Sequence, residues 1–170
     1  MLKAIESGEL TRVFVIGGCD GSENKRSYFT TLAKSLPPET LILTLGCAKY
    51  RFNRLEFGTL GSTGLPRLLD MGQCNDAYGA VVVASALADA LQTDVNSLPL
   101  SITFSWFEQK AIAVFLSMLY LGIRNMRVGP VLPAFLTQNV VNMLVEKYNI
   151  VPCDMRHPED DLKNMMQQQQ

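Results

Sequence analysis

A chain of 170 residues, 48% of them apolar, has material for one domain of ordinary size and not for two. Its net charge of −1 gives it no overall basic character, which argues against nucleic acid and anionic lipid as partners. The N-terminal segment lacks the uninterrupted apolar run of a secretory signal, so a cytoplasmic, reducing setting with free thiols is expected.

In chain order, Arg12–Gly18 is a β-branched and aromatic run ended by glycines, the pattern of a buried strand. Ser27 is placed to cap a short helix reaching Lys34, and Pro37-Pro38 stops it. Residues 41–45 form the second strand. From 48 to 67, Gly58, Gly61, Gly64, Pro66 and the cations Lys49, Arg51 and Arg54 follow no sustained period, so a long functional loop with one helical turn is expected. Residues 68–72 form a weaker strand, and Asn75 or Asp76 caps a long helix over 77–93.

Residues 100–105 return to the sheet. A helix over 107–121 places Glu108 in its first turn, where the helix dipole favours a carboxylate, and Gly122 stops it. A last strand over 125–129 is closed by Pro130, and Pro133 opens the last helix, which runs to Tyr148. The apolar stretches 80–91 and 111–123 fall short of the roughly 20 residues of a membrane span and read as buried helices. Strands alternating with helices predict an α/β fold over residues 1–151: a doubly wound, mainly parallel sheet with helices on both faces, in a Rossmann-like three-layer arrangement. Residues 152–170, charged and then ending in four glutamines, read as a polar, disordered tail.

Three of the four cysteines stand just past apolar runs: Cys19 after the first strand, Cys47 after the second and Cys74 after the third. Glu108 follows the fourth run, and successive positions are separated by roughly 30 residues, about one βα unit. On parallel strands all four side chains gather at one rim, where open α/β sheets place their ligands. Thiolates and a carboxylate there suit a metal or iron–sulfur site. Spacing alone leaves that reading level with three small thiols packed in a core.

The flanking glycines, Gly17-Gly18, Gly21, Gly46 and Gly72, favour a crowded ligand cavity. They could equally cradle a phosphate, but the dinucleotide fingerprint G-x-G-x-x-G is incomplete. Lys110 could hold an anionic oxygen species or deliver protons, although solvated lysines are commoner. Cys153 and His157 have C-x3-H spacing and supply at most half a metal site. The absence of any C-x-x-C pair argues against a zinc ribbon or a thioredoxin-like motif.

The stretches Ile16-Gly-Gly-Cys-Asp-Gly, Gly46-Cys-Ala-Lys-Tyr-Arg-Phe-Asn, Leu68-Leu-Asp-Met-Gly-Gln-Cys-Asn-Asp-Ala-Tyr and Ser105-Trp-Phe-Glu-Gln-Lys-Ala, followed by Gly129-Pro-Val-Leu-Pro-Ala-Phe, occur in that order. Together they closely resemble the hybrid cluster protein family, also called prismane proteins or hydroxylamine reductases. The resemblance covers residues 12–151. It implies the C-terminal α/β domain of such an enzyme, which helps hold a hybrid iron–sulfur–oxygen cluster of the 4Fe-2S-2O type. By resemblance Cys19 matches a cysteine carrying a persulfide sulfur, Cys47 and Cys74 match plain thiolate ligands, Glu108 matches a carboxylate ligand, and Lys110 a lysine beside the cluster. Cys153 and His157 match nothing in it.

The implied chemistry is reduction of hydroxylamine to ammonia, with nitric oxide reduction in the same nitrogen-stress setting. A small nitrogen–oxygen substrate would bind at an open iron position, with electrons entering through a separate cubane iron–sulfur cluster from a donor the resemblance does not name. Glu108 is then expected to move on and off iron, and Lys110 to help donate protons. The family's long helical N-terminal part, which carries the cubane cluster, has no counterpart in these residues. Nor has its middle domain, which supplies a histidine, a glutamate and another cysteine. The expectation is therefore part of a larger enzyme, or a subunit completed by another chain. Two rival readings are a non-catalytic α/β module that kept the fold and lost the cofactor, and a carbon monoxide dehydrogenase-like domain. The segment Trp106-Phe-Glu-Gln-Lys weighs against the latter.

Overall fold

The computed structural model of the chain describes residues 1–19 and 27–167. After a short helix α1 (Leu2–Glu6) come β1 (Arg12–Gly18), α2 (Tyr28–Ser35) and β2 (Thr40–Gly46). A 3-10 turn (Cys47–Arg51) leads to the small hairpin β3 (Thr59–Leu60) and β4 (Leu65–Pro66), then β5 (Leu68–Asp70) and α3 (Ala77–Ala90). The second half runs β6 (Leu100–Phe104), α4 (Gln109–Tyr120), β7 (Met126–Val128), α5 (Gln138–Tyr148), β8 (Val151–Pro152) and α6 (Pro158–Gln167).

The main sheet has the order β5-β2-β1-β6-β7-β8, and every ladder in it is parallel. All seven residues of β1 and of β2 are buried, as continuous apolar runs must be when helices cover both faces of a sheet. Val13, Val15, Leu41, Leu43 and Leu45 share one core with residues of α1, α3, α4 and α5. Phe14, Ile16 and Ile42 point the other way and pack with α2 and α6. This is the expected three-layer, doubly wound α/β fold. The chain winds outward from β1 first through β2 and β5, then through β6, β7 and β8, so the winding reverses between β1 and β6. Such a switch point is where open α/β sheets bind ligands.

Several local readings are corrected. Ser27 holds the N-cap position of α2 with φ −114° and ψ −7°, outside the extended region a capping side chain needs, and makes no cap hydrogen bond. Asp76 does not cap α3 by its side chain; its carboxylate accepts the Gln73 N–H at 2.7 Å and closes a capping box around the 3-10 turn Cys74–Asp76. The 48–67 loop contains the β3–β4 hairpin. Arg67 pins its exit by donating to the carbonyls of Leu36, Pro37, Thr40 and Phe57. α5 starts at Gln138 rather than Pro133, because the turn after Pro133 closes on a single Leu136 N–H bond and Thr137 is the N-cap. Gly122, with φ +76°, ends α4 as read.

The largest correction concerns residues 152–167, read as part of a disordered tail; residues 168–170 lie outside the described residues. Val151–Pro152 adds a strand to the sheet, and Pro158–Gln167 is a helix. Pro158 suits the first helical position, and Glu159, Asp160 and Asp161 suit the positive end of the dipole. Leu162, Met165 and Met166, at helical spacing, close the core over α2. Asp161, 4% exposed, is on the buried side of this helix, where its carboxylate meets the Arg127 guanidinium and the Tyr28 hydroxyl, each at 2.5 Å, and the Asp154 N–H at 2.7 Å. Among the described residues no helix is long and apolar enough to cross a membrane.

Candidate functional site at the carboxyl rim of the sheet

Gly18 ends β1 and Gly46 ends β2, paired in register, so Cys19 and Cys47 leave neighbouring strands at the same level. Both glycines have positive φ, +123° and +72°, which turns the chain sharply out of the sheet. The third tip is tied to the second: the Gly46 N–H donates to the Gly72 carbonyl at 3.0 Å. A side chain on Gly46 would come within 3.0 Å of the Cys74 sulfur and 2.9 Å of the Gly18 carbonyl oxygen. Glycine there is what allows three cysteine-bearing tips to close on one another.

Asp70, at the end of β5, organises the approach to Cys74. One of its oxygens accepts the Gly72 N–H at 2.8 Å, and the Lys49 ammonium sits 3.0 Å from the other. This clamp escaped the sequence reading, although Asp70-Met-Gly72 is the kind of spacing an Asx turn uses.

Across the switch point, residues 105–108 belong to neither strand nor helix, and Glu108, with an extended backbone, is the N-cap of α4 rather than part of its first turn. The Cys19 N–H donates to the Trp106 carbonyl at 3.2 Å, and the Glu108 N–H donates to the Cys19 sulfur at 3.3 Å. Burial pushes the Cys19 thiol above its ordinary range. The Glu108 N–H opposes that rise, and charge on Cys74, Cys47 and Glu108 adds to it. Cys19 and Glu108 thus meet across the switch point, while Cys47 and Cys74 follow the next two strand ends of the same rim. Lys110, exposed in the first turn of α4, lines a groove between α3 and α4 that also holds Cys74, Tyr78 and Ser117. Asp20 and Gly21, read as part of the same turn, lie outside the described residues.

All four cysteines are free thiols. Among the described residues, no three His, Cys, Asp or Glu side chains stand close enough to share one metal ion. Thiols spread round a rim suit a cluster of several irons instead, each taking its own ligand. Soft sulfur donors also favour iron over magnesium or calcium, which prefer oxygen. The donor set, sulfur with one carboxylate, therefore fits a polynuclear iron group.

Cys153 and His157 do not form a site. Cys153 is buried on the α2/α6 side beside Tyr28, and burial pushes its thiol up to about 12. The exposed His157 ring is 2.9 Å from Asp154. Alkylation of the native chain with iodoacetamide at pH 8 is expected to label exposed Cys47 first, Cys19 more slowly and Cys153 only after unfolding, read by peptide mass spectrometry. Labelling of native Cys153 at the rate of Cys47 would contradict the packing of α6.

The sequence profile of the Prismane/CO dehydrogenase family matches residues 2–163. The hydroxylamine reductase of Moorella thermoacetica is 52% identical over 166 residues, covering 98% of this chain and 38% of that protein. The hydroxylamine reductase of Geobacter metallireducens is 55% identical over 152 residues, covering 89% of this chain and 27% of that protein. The chain thus spans little more than a quarter to two fifths of the length of these curated relatives. The fold is shared with a nickel-free carbon monoxide dehydrogenase from Thermococcus sp. AM4, with TM-score 0.74 and 22% identity over 99% of this chain and 30% of that one. With the family profile spanning almost all of its residues, the chain belongs to the Prismane/CO dehydrogenase family.

Proposed function

We propose that this chain is the C-terminal, cluster-binding part of a hydroxylamine reductase, reducing hydroxylamine to ammonia and, as a second activity, nitric oxide. The reading is supported by Cys19 and Glu108 meeting across the switch point, with Cys47 and Cys74 following the neighbouring strand ends of the same rim, in a chain more than half identical to hydroxylamine reductases. When bound, a hybrid iron–sulfur–oxygen cluster supplies electrons and an open iron position to a small nitrogen–oxygen substrate. Cys47 and Cys74 would hold it as thiolates, Cys19 would hold it through a persulfide sulfur, and the Glu108 carboxylate would supply an oxygen ligand.

Conversion of hydroxylamine to ammonia and water consumes two electrons and two protons. Lys110, which lines the same groove as Cys74, would supply a proton to the departing oxygen. The remaining ligands and the cubane cluster that passes electrons come from companion domains, in the same protein or a separate chain. The exposed apolar side chains of Tyr78 on α3 and of Leu121, the residue that ends α4, line the groove and suit such cover. The reading also places the protein in the cytoplasm, where thiols stay reduced.

Iron and acid-labile sulfide content, with the electron paramagnetic resonance spectrum, tests this on anaerobically prepared protein alone and mixed with the companion helical part. Iron, sulfide and a paramagnetic signal are expected in the mixture. Their absence from both preparations would leave the non-catalytic module as the better reading.

A further inference from the structure

Glycine at 129 has no conformational reason to be there. Its φ lies outside the left-handed region, so any residue could adopt its backbone. Space is what excludes other residues. A Cβ at 129 would overlap the carbonyl oxygen of Ser105 and come within 3.0 Å of the Phe104 carbonyl, to which the Gly129 N–H already donates at 2.6 Å. On the other side of Ser105, a Cβ on Gly18 would come within 2.7 Å of the Ser105 hydroxyl and 2.9 Å of both the Ser105 nitrogen and the Trp106 carbonyl oxygen. The tip of β6 is therefore held between two glycines, one from each neighbouring strand. Most of the atoms in contact are backbone, which cannot rotate aside.

We infer that Gly129 is a positioning residue for the cysteine rim: with Gly18 it clamps the Ser105–Glu108 segment and so sets where Cys19 and Glu108 stand. The link is short. Ser105 donates its N–H to Gly17 at 2.7 Å, the Trp106 carbonyl holds the Cys19 N–H, and the Glu108 N–H holds the Cys19 sulfur. A methyl group at 129 pushes Ser105 toward β1, where Gly18 leaves no slack, and shifts both groups that hold Cys19. Cys47 and Cys74, tied to each other through Gly46, meet this path where Gly46 packs on the Gly18 carbonyl, and neither takes part in the hydrogen bonds that fix Cys19. The importance of that position for a bound cluster rests on the function proposed above.

The test compares Gly129→Ala with Gly79→Ala in the full chain. Gly79 lies in α3 with nothing within 4 Å of an added Cβ, so its alanine variant is a helix-favouring control. The rate of iodoacetamide labelling at Cys19, divided by that at Cys47, is expected to rise at least threefold in Gly129→Ala and to stay unchanged in Gly79→Ala. Cys153, labelled only on global opening, should stay silent in both. A folded Gly129→Ala with an unchanged ratio, or one in which Cys153 labels in step with Cys19, would overturn the inference in favour of general destabilisation.

If Gly129→Ala does not fold, hydrogen exchange on the unaltered chain decides. Clamped amides at Cys19, Ser105 and Gly129 exchange with one common opening free energy. A Cys19 amide that exchanges freely while the other two are protected refutes the clamp. These readouts need no iron, so they stand apart from the iron measurements: failure of iron uptake with a raised thiol ratio removes the proposed function and leaves the clamp.

Discussion

Serine at Cys19, Cys47 or Cys74 is expected to lower the iron content of the anaerobically assembled protein by about tenfold or more each, while Cys153→Ser leaves it unchanged. Replacing residues that only support metal ligands already costs about 10–100-fold in affinity, and loss of a ligand costs at least as much. Serine keeps the size of the side chain and loses the soft thiolate, so the rim should fold as before. The contrast with Cys153 is sharp because that thiol lies on the α2/α6 side of the sheet, buried beside Tyr28 and away from the rim. Iron and sulfide analysis of the four variants decides. Equal loss at all four, or no loss at Cys74, would sink the assignment of the rim.

The largest expected effect on stability is at Asp161. Asp161→Ala should destabilise the chain by about 3–5 kcal/mol, because it strands a buried guanidinium without its counter-charge. Arg127 is 4% exposed, and its Nε has no hydrogen-bond partner, so the carboxylate is its chief compensation. Tyr28→Phe removes a single hydroxyl from the same carboxylate and should cost less, about 1–3 kcal/mol. Against a typical total of about 5–15 kcal/mol, the first loss moves the urea midpoint far and the second moderately. The double variant Asp161→Leu with Arg127→Met, which removes both charges, should recover most of the loss. Urea unfolding that places Asp161→Ala within about 1 kcal/mol of the unaltered chain would show that α6 is not held by this pair.

Much of this was legible in the sequence. A strand buried on both faces has to be a short, unbroken apolar run, and the runs at 12–18 and 41–45 read as strands for that reason. Cysteines that follow such runs must then sit at one rim. α6 was misread because only Leu162, Met165 and Met166 interrupt a polar composition, although their spacing is helical and Pro158 with three acidic residues opens the segment correctly. The start of α4 was misplaced for a different reason. Residues 105–108 carry no local signal that they stay out of the helix, and their hydrogen bonds with Gly17 and Cys19, at the tip of β1, come from nearly ninety residues away.

The sequence by itself therefore determined the fold class, the family resemblance and the set of rim residues, since each rests on a local pattern of apolar runs, glycines and cysteines. The tertiary structure decided the rest: that the winding reverses between β1 and β6, that Gly46 brings the Cys74 sulfur against the β2 tip, and that Gly18 and Gly129 grip Ser105 from both sides. Strand adjacency is a long-range choice, made by packing of helices on both faces, and no local pattern along the chain encodes which tips will touch.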